Sequence, residues 1–129
     1  MIKFARVFFL AALLASVNAA LAQTDNLINI SLTNYAFTPN AITLKTGTTY
    51  HLHFINSGSK DHNFSAPQFF AASQIAPEDQ AKVKKGLVEL ESGQSVDVAV
   101  TPGQAGTFAV ECKHFMHEMM GMHASITVE

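Results

Sequence analysis

The chain has 129 residues, with eight Lys and Arg against ten Asp and Glu for a net charge of −2. The basic footprint of a nucleic-acid binder is therefore absent. This length suits one ordinary domain, and a single cysteine excludes an intramolecular disulfide framework.

Lys3 and Arg6 precede an apolar run from Val7 to Ala15, and small residues follow as far as Ala20, Leu21 and Ala22. That order is the charge, core and A-x-A pattern of a secretory signal, and the run is too short to span a bilayer. Residues 1–22 are expected to be removed, leaving residues 23–129 as one exported domain, periplasmic in a bacterium, with no stable membrane insertion. Loss of Lys3 and Arg6 raises the acidic excess to about four charges, a mildly acidic surface.

The next segments read as strands. In "NLINISLTN", Ile28, Ile30 and Leu32 alternate with polar positions, as on a half-buried strand. "AITLKTGTTYHLHFINSG" contains two more, broken at Thr46 and Gly47, with Tyr50, Leu52 and Phe54 on one face and His51 and His53 on the other. Those two histidines are expected to face solvent. From Ser65 to Gly86 the rhythm changes. Pro77, then Glu78 and Asp79, then Lys82, Lys84 and Lys85, then Gly86 follow the order of charges and breakers in a short helix. A helical insert around 66–86 is expected, with "QFF" at Gln68 to Phe70 packing in the core or within the insert.

"GLVELES", "GQSVDVAVTP" and "GTFAVEC" are three further strands, separated by Ser92-Gly93 and Pro102-Gly103, and "ASITVE" is the last. Short strands with frequent turns predict an all-β, antiparallel Greek-key sandwich or barrel.

Between the last two strands lies "CKHFMHEMMGMH", which gathers the only cysteine, three of the six histidines and four of the five methionines. Cys112, His117 and Met122 stand five residues apart on this loop. Thiolate, imidazole and thioether together favour copper, and a trigonal site needs one more histidine. His62, just beyond the strand "YHLHFIN", lies at the end of the sandwich where such loops gather. Met120 is the rival to Met122, while His114, His123, Met116 and Met119 rank below as ligands. The methionines not bound would pack the loop as flexible gap fillers.

"YAFTPNAITLKTGTTYHLHFINSGSKDHNF" and "FAVECKHFMHEMMGMHASITVE" together resemble the small blue copper proteins, the cupredoxins of the plastocyanin and azurin family. The resemblance implies one copper ion bound by His62, Cys112 and His117, with Met122 axial. It also implies that Asn63 ties the two ligand loops together and that electrons pass through an apolar surface near His117. A type 1 copper electron carrier, monomeric and serving transient redox partners, is the expectation. An aromatic shell of Phe37, Phe54, Phe64, Phe108 and Phe115 would limit access of water. The family's frequent Pro or Gly within the cysteine-to-histidine loop is replaced here by "KHFM".

Enzymatic readings fare worse. His117 and His123 are six apart rather than the i, i+4 of a zinc-protease helix, and a cysteine nucleophile would need a base from among the same histidines. The competing expectation is an exported copper carrier that holds Cu(I) through the Met/His-rich loop.

Overall fold

A computed structural model describes residues 26–117 and 119–129; the expected signal segment, residues 1–22, lies outside them. In chain order the elements are β1 (Leu27–Thr33), β2 (Ala36–Thr38), β3 (Ala41–Leu44), β4 (Tyr50–Asn56), β5 (His62–Ser65), α1 (Pro67–Ala71), β6 (Ser73–Ile75), a 3-10 turn (Pro77–Lys82), β7 (Leu87–Leu90), β8 (Ser95–Pro102), β9 (Gly106–Glu111) and β10 (His123–Val128). Two five-stranded sheets, ordered β2-β1-β4-β8-β6 and β3-β10-β9-β5-β7, face each other.

The sandwich forms because each strand turns alternate side chains inward. β4 buries Tyr50, Leu52, Phe54 and Asn56, while His51 is exposed and His53 Nδ1 meets Asp97 Oδ1 at 2.6 Å on the outer face. Ile30 and Leu32 of β1, Val98 and Val100 of β8, Val88 and Leu90 of β7, and Ile126 and Val128 of β10 complete the core. At its centre Phe64 contacts the rings of Phe37, Phe54 and Phe70, with centroids 5.6, 4.9 and 6.3 Å away.

The sandwich is as expected, but its sheets are mixed. β1 lies parallel to β4 and β3 parallel to β10. A parallel pair needs a crossover, and here β2 and β3 supply it: β2 stays on the first sheet, β3 sits on the edge of the second, and β4 returns beside β1. Alternation of apolar residues specifies which face is buried and is blind to strand direction.

The expected helical insert resolves into three pieces. Pro67 opens the short α1, which buries Phe69 and Phe70. The Ser73 hydroxyl donates to the Phe69 carbonyl (2.7 Å), and the chain then pairs as β6 with the edge of β8. Pro77 and Glu78-Asp79 open a 3-10 turn rather than an α-helix, with Lys82 Nζ on Asp79 Oδ1 (2.6 Å). Lys84 and Lys85 lie beyond it. Pairing with an open sheet edge here satisfies backbone groups that a longer helix would have satisfied internally.

Candidate metal centre

The site is built at one end of the sandwich, where β4 hands over to β5 and β9 to β10. Buried Asn56, the last residue of β4, folds the first of these turns. Its Nδ2 donates to the carbonyls of Lys60 (2.8 Å) and Leu90 (3.1 Å), and its Oδ1 accepts from Gly58 N–H (3.0 Å). The turn delivers His62, fully buried, as the first residue of β5. His62 Nε2 lies 3.0 Å from Asn34 Oδ1. The amide oxygen can only accept, so Nε2 carries the proton and Nδ1 presents its lone pair. Gly58 makes this approach possible: a Cβ there would lie 2.5 Å from Asn34 Oδ1 and 3.1 Å from His62 Nε2.

The second connection brings the remaining donors. Cys112 follows the end of β9 and is fully buried; its Sγ accepts from Asn63 N–H at 3.5 Å. The loop then turns back, with His117 N–H on the His114 carbonyl (3.1 Å), Met122 N–H on the His117 carbonyl (3.1 Å) and Cys112 N–H on the Met122 carbonyl (3.2 Å). Gly121, at φ 90, takes a left-handed conformation that favours glycine. Met122 is fully buried beneath the loop, whereas Met120, Met119 and Met116 are 57%, 81% and 48% exposed.

Thus His62, Cys112 and His117 converge. His62 Nδ1 and His117 Nδ1 are 3.1 Å apart, and Cys112 Sγ is 3.9 and 3.4 Å from them. One donor atom from each residue lies within 4.8 Å of the others, and all three residues are buried. The spacing between the imidazole nitrogens suits one N–H···N hydrogen bond and equally the convergence of two lone pairs on a cation. With a thiol as the third donor and no carboxylate among the three, the set is consistent with one copper ion.

Burial governs the electrostatics. It lowers the pKa of His62, reinforced by His117 and His114, and lowers that of His117, reinforced by His114 and Lys60. Burial pushes the Cys112 thiol up, against the backbone N–H groups of Asn63 and His114. The metal-free site therefore favours neutral imidazoles and a neutral thiol, and an incoming cation must displace the thiol proton.

A pH dependence follows for the metal-free protein. In the unfolded chain histidines titrate near about 6.5, and the folded values of His62 and His117 lie below the ordinary one. The unfolded state thus binds more protons as pH falls through this range. Stability from these residues is complete above about pH 6.5 and is lost on descent to the lowered folded values. The urea midpoint of the apo protein should be lower at about pH 5.5 than at about 7.5; an equal or higher midpoint at the acid pH would contradict this electrostatic picture.

The other soft or basic side chains stand outside the cluster. His114 Nε2 meets Glu89 Oε1 at 2.5 Å, and His123 is exposed on β10. Phe37, Phe54 and Phe64 are buried, and Phe108 packs partly buried on Phe69 with centroids 5.9 Å apart. Phe115 departs from the expected shell, being 87% exposed. In the tight loop Cys112, His117 and Met122 take the inward positions, leaving Phe115 to point out. Tyr35, at φ 99, has no ligand-like spacing in the sequence, yet its ring stands edge-on to His117 with centroids 5.1 Å apart. Asn34 and Glu89 are likewise illegible there, because a lone Asn or Glu on a strand or turn carries no spacing signal.

The cupredoxin-like domain family matches residues 6–128. Among solved structures, the chain is similar to dithionite-reduced auracyanin from Roseiflexus castenholzii, at 21% identity and TM-score 0.62, covering 81% of this chain and 97% of that one. It is also similar to auracyanin B, at 18% identity and TM-score 0.60, covering 80% and 88%. A multicopper oxidase from Campylobacter jejuni matches at 13% identity and TM-score 0.58, over 79% of this chain but 29% of the oxidase. No curated protein sequence matches the chain. At these identities the structural likenesses speak for the fold.

Proposed function

Because the chain belongs to the cupredoxin-like family, we propose that it is an exported type 1 copper protein that carries single electrons between redox partners. His62, Cys112 and His117 would hold the ion, with Met122 as the weaker thioether ligand. The observation that carries this reading is the buried convergence of two imidazoles and a thiol beside the one methionine that is buried among the described residues. When bound, copper supplies a one-electron couple between Cu(II) and Cu(I).

The chain's own residues do the rest. The Asn34 bond holds the His62 ring with Nδ1 inward, and the Asn63 N–H holds Cys112 Sγ, so the donors are already oriented before a metal arrives. Such preorganisation reduces the rearrangement that a change of charge would otherwise demand. Buried Phe37, Phe54 and Phe64 keep the sandwich interior dry behind the site. Phe115, Met116, Met119 and Met120, which flank His117 along the loop, are exposed and offer an apolar rim suited to the small, short-lived contacts of redox partners. The domain proper is proposed as residues 23–129, acting as a monomer in the periplasm or another exported compartment. Among the described residues no helix is long and apolar enough to cross a membrane.

A second reading is favoured by that same rim. Three exposed thioethers on one loop are soft donors able to hold Cu(I), as a copper carrier would need for handover.

Burial decides between the methionines. Met122→Leu should change the visible and paramagnetic spectra of the Cu(II)-loaded protein and raise its reduction potential, since an apolar branch replaces the thioether. Met120→Leu should leave both near wild type. The opposite pattern would place the fourth ligand at Met120 and overturn the assignment.

A further inference from the structure

β5 and β9 share a single paired position, Ser65 with Glu111. Beyond it, where β5 carries His62 and the other strand runs into Cys112, no further main-chain pairing among the described residues joins the two ligand-bearing segments. Side chains continue the ladder. Asn63 N–H donates to Cys112 Sγ (3.5 Å), and Asn63 Oδ1 accepts from Lys113 N–H (2.8 Å). For Oδ1 to face Lys113, the Asn63 amide must be held in one of its two flipped orientations.

Glu89 holds it. On β7 this residue stands directly opposite Asn63 in the register, and its Oε2 accepts from Asn63 Nδ2 at 3.0 Å. Its other oxygen, Oε1, lies 2.5 Å from His114 Nε2, inside the loop between Cys112 and His117. One carboxylate thus spans the two segments that carry the donors, although it touches none of the donor atoms. Its neighbours Val88 and Leu90 point into the core and anchor the strand beneath it.

We propose that Glu89 is a positioning residue for the metal centre: it locks the Asn63 amide and the His114 ring together, clamping the β5 and Cys112–His117 segments at a fixed separation, and adds a negative charge that favours the more highly charged copper ion. The inference rests on the copper reading above. A hydrogen bond to a carboxylate is stronger than a neutral one, so the clamp outlasts a simple amide contact. Its charge acts across a half-exposed surface, Glu89 and His114 side chains being 48% and 35% exposed, and added salt should weaken that part.

Two variants separate clamp from charge. Glu89→Ala removes both, and should lower Cu(II) affinity by roughly the 10–100-fold typical of lost outer-sphere partners and speed amide exchange at Lys113 in the metal-free protein. Glu89→Gln keeps an acceptor for Asn63. It should leave Lys113 exchange close to wild type while weakening Cu(II) binding more than Cu(I) binding, so that the reduction potential rises. Wild-type Cu(II) affinity and potential in Glu89→Ala would overturn the proposal. Should the wild-type protein itself fail to bind copper, the copper reading falls, while Lys113 exchange in the metal-free variants still reports whether the clamp exists.

Discussion

Cys112→Ser should abolish the intense visible thiolate-to-copper absorption of the Cu(II)-loaded protein and lower Cu(I) affinity by more than about a hundredfold, beyond the usual loss from an outer-sphere change. The sulfur is the only thiol in the chain, so no other residue can supply the charge-transfer transition. A serine hydroxyl is a hard donor that stays protonated, and Cu(I) prefers soft sulfur. The fold should survive the change. Serine is nearly isosteric, Asn63 N–H can still donate to its oxygen, and the His117 ring 3.4 Å from the present sulfur offers a second partner. Loss of colour with an unchanged far-ultraviolet circular dichroism spectrum is the expected pair of results. Retention of the visible band in the serine variant would place the chromophore elsewhere.

Phe64→Ala should cost about 3–5 kcal/mol of unfolding free energy, measured by urea denaturation of the metal-free protein. Phe64 is fully buried between the sheets, and three aromatic neighbours close around it. Those rings belong to β2 and β4 of the facing sheet and to α1, rigid elements that cannot collapse into the space an alanine leaves. The position also lies two residues from His62 on β5. A cavity there loosens the strand that delivers the first imidazole, and copper affinity should fall with stability. A loss under about 1 kcal/mol would mean that the core relaxes around the site far more freely than close packing permits.

Much of this architecture is written in local pattern. The alternation in "TYHLHF" marks which face of β4 is buried, and the structure puts Tyr50, Leu52 and Phe54 inside with His51 and His53 outside. The intervals between Cys112, His117 and Met122 are legible because one loop carries all three, and soft donors at such spacing have few other uses. Their assignment as ligands remains the proposal made above, supported by burial of Met122 and exposure of Met120.

Other features depend on partners distant in sequence. Strand direction is one, since β1 and β4 pair parallel only because two intervening strands cross between sheets. The insert is another. Its charges obey helix rules, but the free edge of β8 competes for the same backbone groups and wins at Ser73–Ile75. Asn34, Tyr35 and Glu89 lie 28, 27 and 27 positions away from His62, and none carries a ligand-like spacing; only the folded chain sets Asn34 against His62, and only strand register sets Glu89 against Asn63. Phe115 shows the converse, an aromatic residue beside ligands that the tightness of its loop turns outward.

The most direct test of an electron carrier is to cycle the copper-loaded protein between reduced and oxidised states in the presence of a strong Cu(I) chelator while following the visible band. Electron transfer from a retained ion predicts that the band bleaches on reduction and returns in full on reoxidation, cycle after cycle, with the chelator empty. If the first reduction instead passes copper to the chelator and the band does not return, the protein hands over its metal, and the copper-carrier reading replaces electron transfer.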